Sequence, residues 1–180
     1  MKQAINTKGT VIVAGFPGVG KTWCVNNIGK YKMLDSDSSE FSWLYNEKKE
    51  KTDVRNPDFP ENYIHHILEN LGKYDVIFVS SHDVVRKALE NNSIPYVLVF
   101  PEDTKDNKLH YISGYMKRGS SEAFCSLIYD NWTNWIQEMK METWPVQYIL
   151  GSEDEPAKQN LYAVLDDIVD VNKDYTDVKE

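Results

Sequence analysis

Eight consecutive residues, Gly15-Phe16-Pro17-Gly18-Val19-Gly20-Lys21-Thr22, limit what this chain can fold into more than any other stretch. They fit the pattern G-x-x-x-x-G-K-[ST] and follow directly on an apolar run, Thr10-Val11-Ile12-Val13-Ala14. A strand, a glycine-rich loop and a helix in that order aim backbone N–H groups and a helix N-terminus at one point, where a polyphosphate can sit. Gly15 and Gly20 let the chain turn around it without a Cβ in the way. Pro17, Gly18, Val19 and Trp23 complete the stretch expected to touch a bound nucleotide. Lys21 is expected to reach the β- and γ-phosphates, and the Thr22 hydroxyl to ligate Mg²⁺.

Around this loop the chain alternates strand and helix. Strands are predicted over 10–14, 31–35, 75–81, 95–100 and 146–150. Helices are predicted over 21–29, 60–71, 84–91, 121–141 and 157–171. With 180 residues and 41% hydrophobic content there is material for one core and hardly two, so residues 1–180 read as a single domain. Near-continuous apolar strands such as Val76-Ile77-Phe78-Val79 suit a parallel sheet covered on both faces, joined by right-handed crossovers. The expectation is an α/β fold, a three-layer α/β/α sandwich with a five-stranded parallel sheet. Residues 36–60 read as a short helix followed by a mobile loop, 102–119 as a polar segment, and 172–180 as an acidic tail.

The net charge of −8 and a pI near 5.0 exclude a protein held on nucleic acid by bulk electrostatics, so DNA is expected only as a substrate. Cys24 and Cys125 have no metal-ligand spacing, which fits a reducing cytoplasm. No apolar run approaches the roughly 20 residues that span a bilayer, and no signal-peptide pattern opens the chain.

In parallel α/β sheets ligands collect at the carboxyl ends of the strands. After the second strand stands Asp35-Ser36-Asp37, two carboxylates that leave an extended segment on the same side. Either one bears on Mg²⁺ and the other on an acceptor, or both are turn and capping residues. The third strand ends Ser80-Ser81-His82-Asp83 in place of a terminal Asp. Ser80 or Ser81 is expected to contact metal-bound water or a polar substrate, and His82 reads as a strand-end residue. Phe41 and Trp43 follow the Asp pair, where a flat acceptor ring could stack.

The layout resembles the small P-loop kinases related to adenylate kinase and shikimate kinase. The Asp35-Ser36-Asp37 segment is similar to the second-strand Asp-x-Asp of shikimate and gluconate kinases. The stretch Tyr111 to Gly119, with Asn131-Trp132 and Trp135-Ile136, looks like that of the nucleotide-kinase-like P-loop proteins of bacteria and phages. The resemblance implies sheet order 2-3-1-4-5, a short lid over 102–119 and an acceptor-binding segment over 36–60. It further implies ATP and Mg²⁺ as cofactors, Thr22 and Asp35 at the metal, and Asp37 at the acceptor hydroxyl. The three arginines divide accordingly, Arg55 and Arg86 toward the acceptor and Arg118 closing over the transferring phosphate. The activity implied is transfer of the γ-phosphate of Mg·ATP to a small acceptor, a nucleotide or nucleoside, by a monomer or homodimer. Two alternatives stay open at this point: a hydroxyl on another acceptor, such as a hydroxymethylated base in DNA, or nucleotide binding without transfer.

Overall fold

The computed structural model describes residues 2–177. Five strands form one all-parallel sheet: β1 (Val11–Gly15), β2 (Met33–Asp35), β5 (Val76–Ser80), β6 (Val97–Pro101) and β7 (Val146–Leu150). Strands β3 (Trp43–Tyr45) and β4 (Lys51–Arg55) pair antiparallel as a separate hairpin. The helices are α1 (Lys21–Asn27), α2 (Ser39–Ser42), α3 (Glu61–Asn70), α4 (Asp83–Asn91), α5 (Lys105–Lys117), α6 (Glu122–Lys140) and α7 (Leu161–Asp177).

β1 is central, with β5 on one side and β6 on the other, and every residue of β1 and β6 is buried. That double burial explains their unbroken apolar character, since helices cover both faces of such a strand. α1, which joins β1 to β2, and the C-terminal α7 share one face, where they pack on each other, on β2 and on β1. The connections that run the other way along the sheet place α3, α4 and α6 on the opposite face, where α3 meets α4 and α6 lies on β6. The α/β architecture is consistent with three layers, as expected.

The strand order is β2-β5-β1-β6-β7 where 2-3-1-4-5 was expected, a difference of strand numbering. The numbering departs because two strands that the sequence did not announce, β3 and β4, stand between β2 and its sheet neighbour. They occupy the stretch expected to be a mobile loop. The Asn46 side chain closes their turn by accepting the N–H groups of Lys48 and Glu50 at 2.9 and 3.0 Å. Lys49 takes a left-handed φ of 62° where turn chemistry favours Gly or Asn, so the usual hairpin signal is missing.

Two other boundaries differ. The 102–119 segment, expected as a polar lid, is mostly the helix α5, with Tyr111 and Tyr115 buried one turn apart. The last helix starts at Leu161 rather than 157. The Asn160 side chain accepts the Ala163 N–H at 3.2 Å, an N-terminal cap that follows the turns of 152–160. It runs to Asp177, into the stretch expected as an acidic tail. Residues 178–180 of that stretch lie outside the described residues. Among the described residues, no helix is long and apolar enough to cross a membrane.

Candidate functional site

The loop from Gly15 to Thr22 leaves β1 between the carboxyl ends of β5 and β6, and its start is tied down by Phe16 N–H to the Val99 carbonyl at 2.8 Å. Its far wall is tied to α7, where the Leu161 N–H donates to the Val19 carbonyl at 3.0 Å. Between these anchors, among the described residues, the N–H groups of Gly18, Gly20, Lys21 and Thr22 donate to no protein acceptor, and the first helical bond is Cys24 N–H to Gly20 O. Unpaired N–H groups gathered in one turn are the electrostatic basis of an anion site.

Two glycines are required for reasons of space. A Cβ on Gly15 would stand 2.9 Å from Lys21 Cδ and from Val19 Cγ2, so only glycine lets the lysine fold back over the loop. Its ammonium donates to the Gly15 carbonyl. Gly18 has φ 90°, and a Cβ there would meet the Tyr115 ring at 2.9 Å. Burial pulls the Lys21 pKa down to about 8, against the raising effect of Asp35 and Asp37 and with a further lowering by Arg118. A cation so placed gains from an arriving anion. Trp23 stands half exposed, edge-on to Tyr162 at 5.5 Å.

Asp35, the last residue of β2, accepts the Thr22 hydroxyl at 2.6 Å through Oδ2. The pair expected to serve a metal is therefore in direct contact. Among the described residues no group of three or more His, Cys, Asp or Glu side chains could hold a metal by itself. Two hard oxygens beside an anion site nevertheless fit Mg²⁺, which keeps its waters and takes its other ligands from phosphate.

Of its two alternatives, Asp37 shows the turn contact. Its Oδ1 accepts the Ser39 N–H at 2.8 Å and so caps the short α2, while its Oδ2 has no hydrogen bond among the described residues. Parallel register sets Asp35 beside Phe78 and Gly15 beside Ser80, which brings Asp37, Ser80 and the loop's first residue to one sheet edge.

Sequence comparison adds nothing to this geometry. No protein-family model and no curated protein matches the chain. The chemistry has to be read from the side chains, and the expected acceptor residues fare unequally.

Arg86 does not face an acceptor. It is buried, its Nε bonded to Glu142 Oε1 at 2.6 Å and its Nη1 to the Ser81 carbonyl. It sits on the inner face of α4 between two buried apolar neighbours, Val85 and Leu89, and an arginine there needs an internal partner. Phe41 is also withdrawn, packed on Tyr63 and His66 with ring centroids at 5.1 and 4.7 Å. Trp43 and Arg55 pair directly across the hairpin, the guanidinium 4.0 Å from the indole centroid. Arg118 ends α5 over the Tyr115 ring and is close enough to Lys21 to act on its charge.

Beside the loop stands a wall that sequence reasoning had only in part, as Gly18, Arg118 and the 102–119 segment, without His110, Gln159 and Asn160 as parts of one cleft. Gly18, His110, Tyr111, Gly114, Tyr115, Arg118, Gln159 and Asn160 line a cleft of about 390 Å³ beside the loop. The Tyr115 hydroxyl donates to the Pro17 carbonyl at 2.5 Å. The spacing of Tyr111 and Tyr115, one helical turn apart, was the signal available for it.

Proposed function

We propose that the chain is a P-loop phosphotransferase that moves the γ-phosphate of Mg·ATP to a small acceptor, a nucleotide or nucleoside. One observation carries this reading: the unpaired N–H groups of Gly18, Gly20, Lys21 and Thr22, the Lys21 ammonium and the Thr22–Asp35 pair share one sheet edge. The loop N–H groups and Lys21 would hold the β- and γ-phosphates, with Arg118 at the rim to meet charge developing on the transferring group. Mg²⁺, when bound by Thr22 and Asp35, supplies charge neutralisation between the phosphates. Asp37, through its free oxygen, faces the acceptor, and Trp43 with Arg55 offers it a flat cationic platform. The acidic surface suits a protein of the cytoplasm that meets soluble substrates rather than a membrane.

The test is transfer from γ-labelled ATP to nucleosides, nucleotides, sugars and hydroxymethylated DNA, with ATP affinity measured in parallel. Tight ATP binding without transfer to any acceptor would reduce the reading to nucleotide binding alone. Within the same assay, Asp35→Asn is expected to raise the Mg²⁺ concentration needed for half-maximal rate by roughly 10–100-fold, because the amide no longer offsets the ion's charge. An unchanged Mg²⁺ titration removes Asp35 from the metal site.

A further inference from the structure

We infer that the phosphoryl acceptor is a hydroxyl compound and that the imidazole of His82 takes the hydroxyl proton; this rests on the phosphotransferase reading above. His82 stands two residues beyond Ser80, whose backbone lies beside Gly15 in the sheet, and the residue is exposed at that end of the sheet. The Ser80 hydroxyl accepts its N–H at 3.2 Å, and its own carbonyl accepts the Arg86 N–H at 3.0 Å.

The residue before it is clamped by unusual means. Arg86 holds the Ser81 carbonyl from below, and Glu142 holds Arg86 while accepting the Tyr96 hydroxyl at 2.9 Å. Desolvating an arginine and a glutamate together is costly, so such a pair is a poor device for stability alone. What it fixes here is the direction of the turn that presents His82.

The same network decides the acceptor class. A phosphate acceptor calls for cations, and Arg86 is committed to Glu142 and to a backbone carbonyl. The acceptor side is left with the Asp37 carboxylate and the His82 ring, together with Arg55 out on the hairpin. One Asp37 oxygen is fixed by the Ser39 N–H, so this carboxylate serves to orient the acceptor hydroxyl. The charged groups around the imidazole are Asp83 and Asp37, which favour its protonation, and Lys21 and Arg86, which oppose it. Its surroundings, desolvation first, hold its pKa below the usual histidine value.

In the step itself the hydroxyl oxygen forms a bond to Pγ while the bond from Pγ to the β–γ bridging oxygen breaks. That electron pair leaves with ADP beside Lys21, and the hydroxyl proton passes to the free ring nitrogen of His82 and then to solvent.

Water is the smallest hydroxyl acceptor, so hydrolysis of Mg·ATP tests the step without a known substrate. The expected result is a wild-type rate that rises with pH through an apparent pKa below that of ordinary histidine. His82→Gln should lower it by roughly 10²-fold, flatten that rise and leave ATP affinity unchanged. His82→Ala should regain rate on addition of imidazole. A wild-type rate and pH profile in His82→Gln overturns the inference, as does loss of ATP binding in that variant or a phosphoanhydride product in the acceptor screen. Should the wild-type protein bind ATP yet neither hydrolyse nor transfer it, the phosphotransferase reading falls as well; loss confined to the His82 variants' pH behaviour leaves both standing.

Discussion

The glycine loop and the β3–β4 hairpin lie at the same end of the sheet, yet they are built on opposite principles. The loop is braced on every side. Phe16 meets Trp132 and Tyr111 edge-on at 5.5 and 6.1 Å, Tyr115 packs on Phe124 at 5.2 Å, and the Tyr115 hydroxyl holds the Pro17 carbonyl. The hairpin stands nearly alone. Four of the five β4 residues are exposed, and its ties to the body include the Asn56 N–H to Ser42 O bond and Glu40, which bonds Tyr45 and Lys51. A two-stranded hairpin by itself is marginally stable. On the proposed reading, a preformed cradle lowers the cost of ordering around the donor phosphates, and a loosely held hairpin can adjust around an acceptor.

The contrast can be broken first at the loop's one cation. Lys21→Ala removes the ammonium while the backbone cradle stays, and phosphoryl transfer should fall by roughly 10²–10³ or more with the fold retained. Circular dichroism and a single-turnover rate check it. Wild-type turnover would move the donor phosphates away from this loop.

Bracing makes a second, smaller prediction. Gly18→Ala puts a Cβ 2.9 Å from the Tyr115 ring at a φ of 90°, so both backbone and helix α5 must shift. The expected cost is about 1–3 kcal/mol of stability, read by denaturant unfolding, with weaker ATP binding alongside. If the variant matches wild type in both, α5 is not a brace for the loop, and the difference between the two regions is smaller than the packing suggests.

The two regions also differ in how far the sequence disclosed them. The loop was legible because its pattern is local: a fixed spacing of Gly, Lys and Thr behind an apolar strand dictates one geometry. Its contact with Asp35 followed from the strand-end rule, since parallel register carries the end of β2 to the same edge. The hairpin was illegible because a three-residue strand has almost no periodicity and its turn carries Lys where Gly would have announced it. Arg86 was misassigned for another reason. Its place in α4 was legible, but its partner, Glu142, lies 56 positions away and joins it only through tertiary packing. The polar start of α5 concealed its role too, because only Tyr111 and Tyr115 of this helix are fully buried.

The smallest expected effect sharpens the comparison from the hairpin side. Arg55 lies over the Trp43 indole on an exposed strand, an arrangement worth about 0.5–1 kcal/mol where solvent reaches it. Arg55→Ala should therefore change overall stability by no more than that. Because no contact links the hairpin to the glycine loop among the described hydrogen bonds, ATP affinity should stay within about twofold of wild type. The acceptor KM is different. If the Trp43 face receives a flat acceptor, removing the guanidinium both uncovers the ring and deletes its charge. A neutral acceptor should then bind as well or better, while an anionic one should lose roughly tenfold or less. Measured against a nucleoside and its monophosphate, the two shifts have opposite signs. Equal shifts for both, or a parallel loss of ATP affinity, would show that the hairpin does not act on the acceptor separately from the loop.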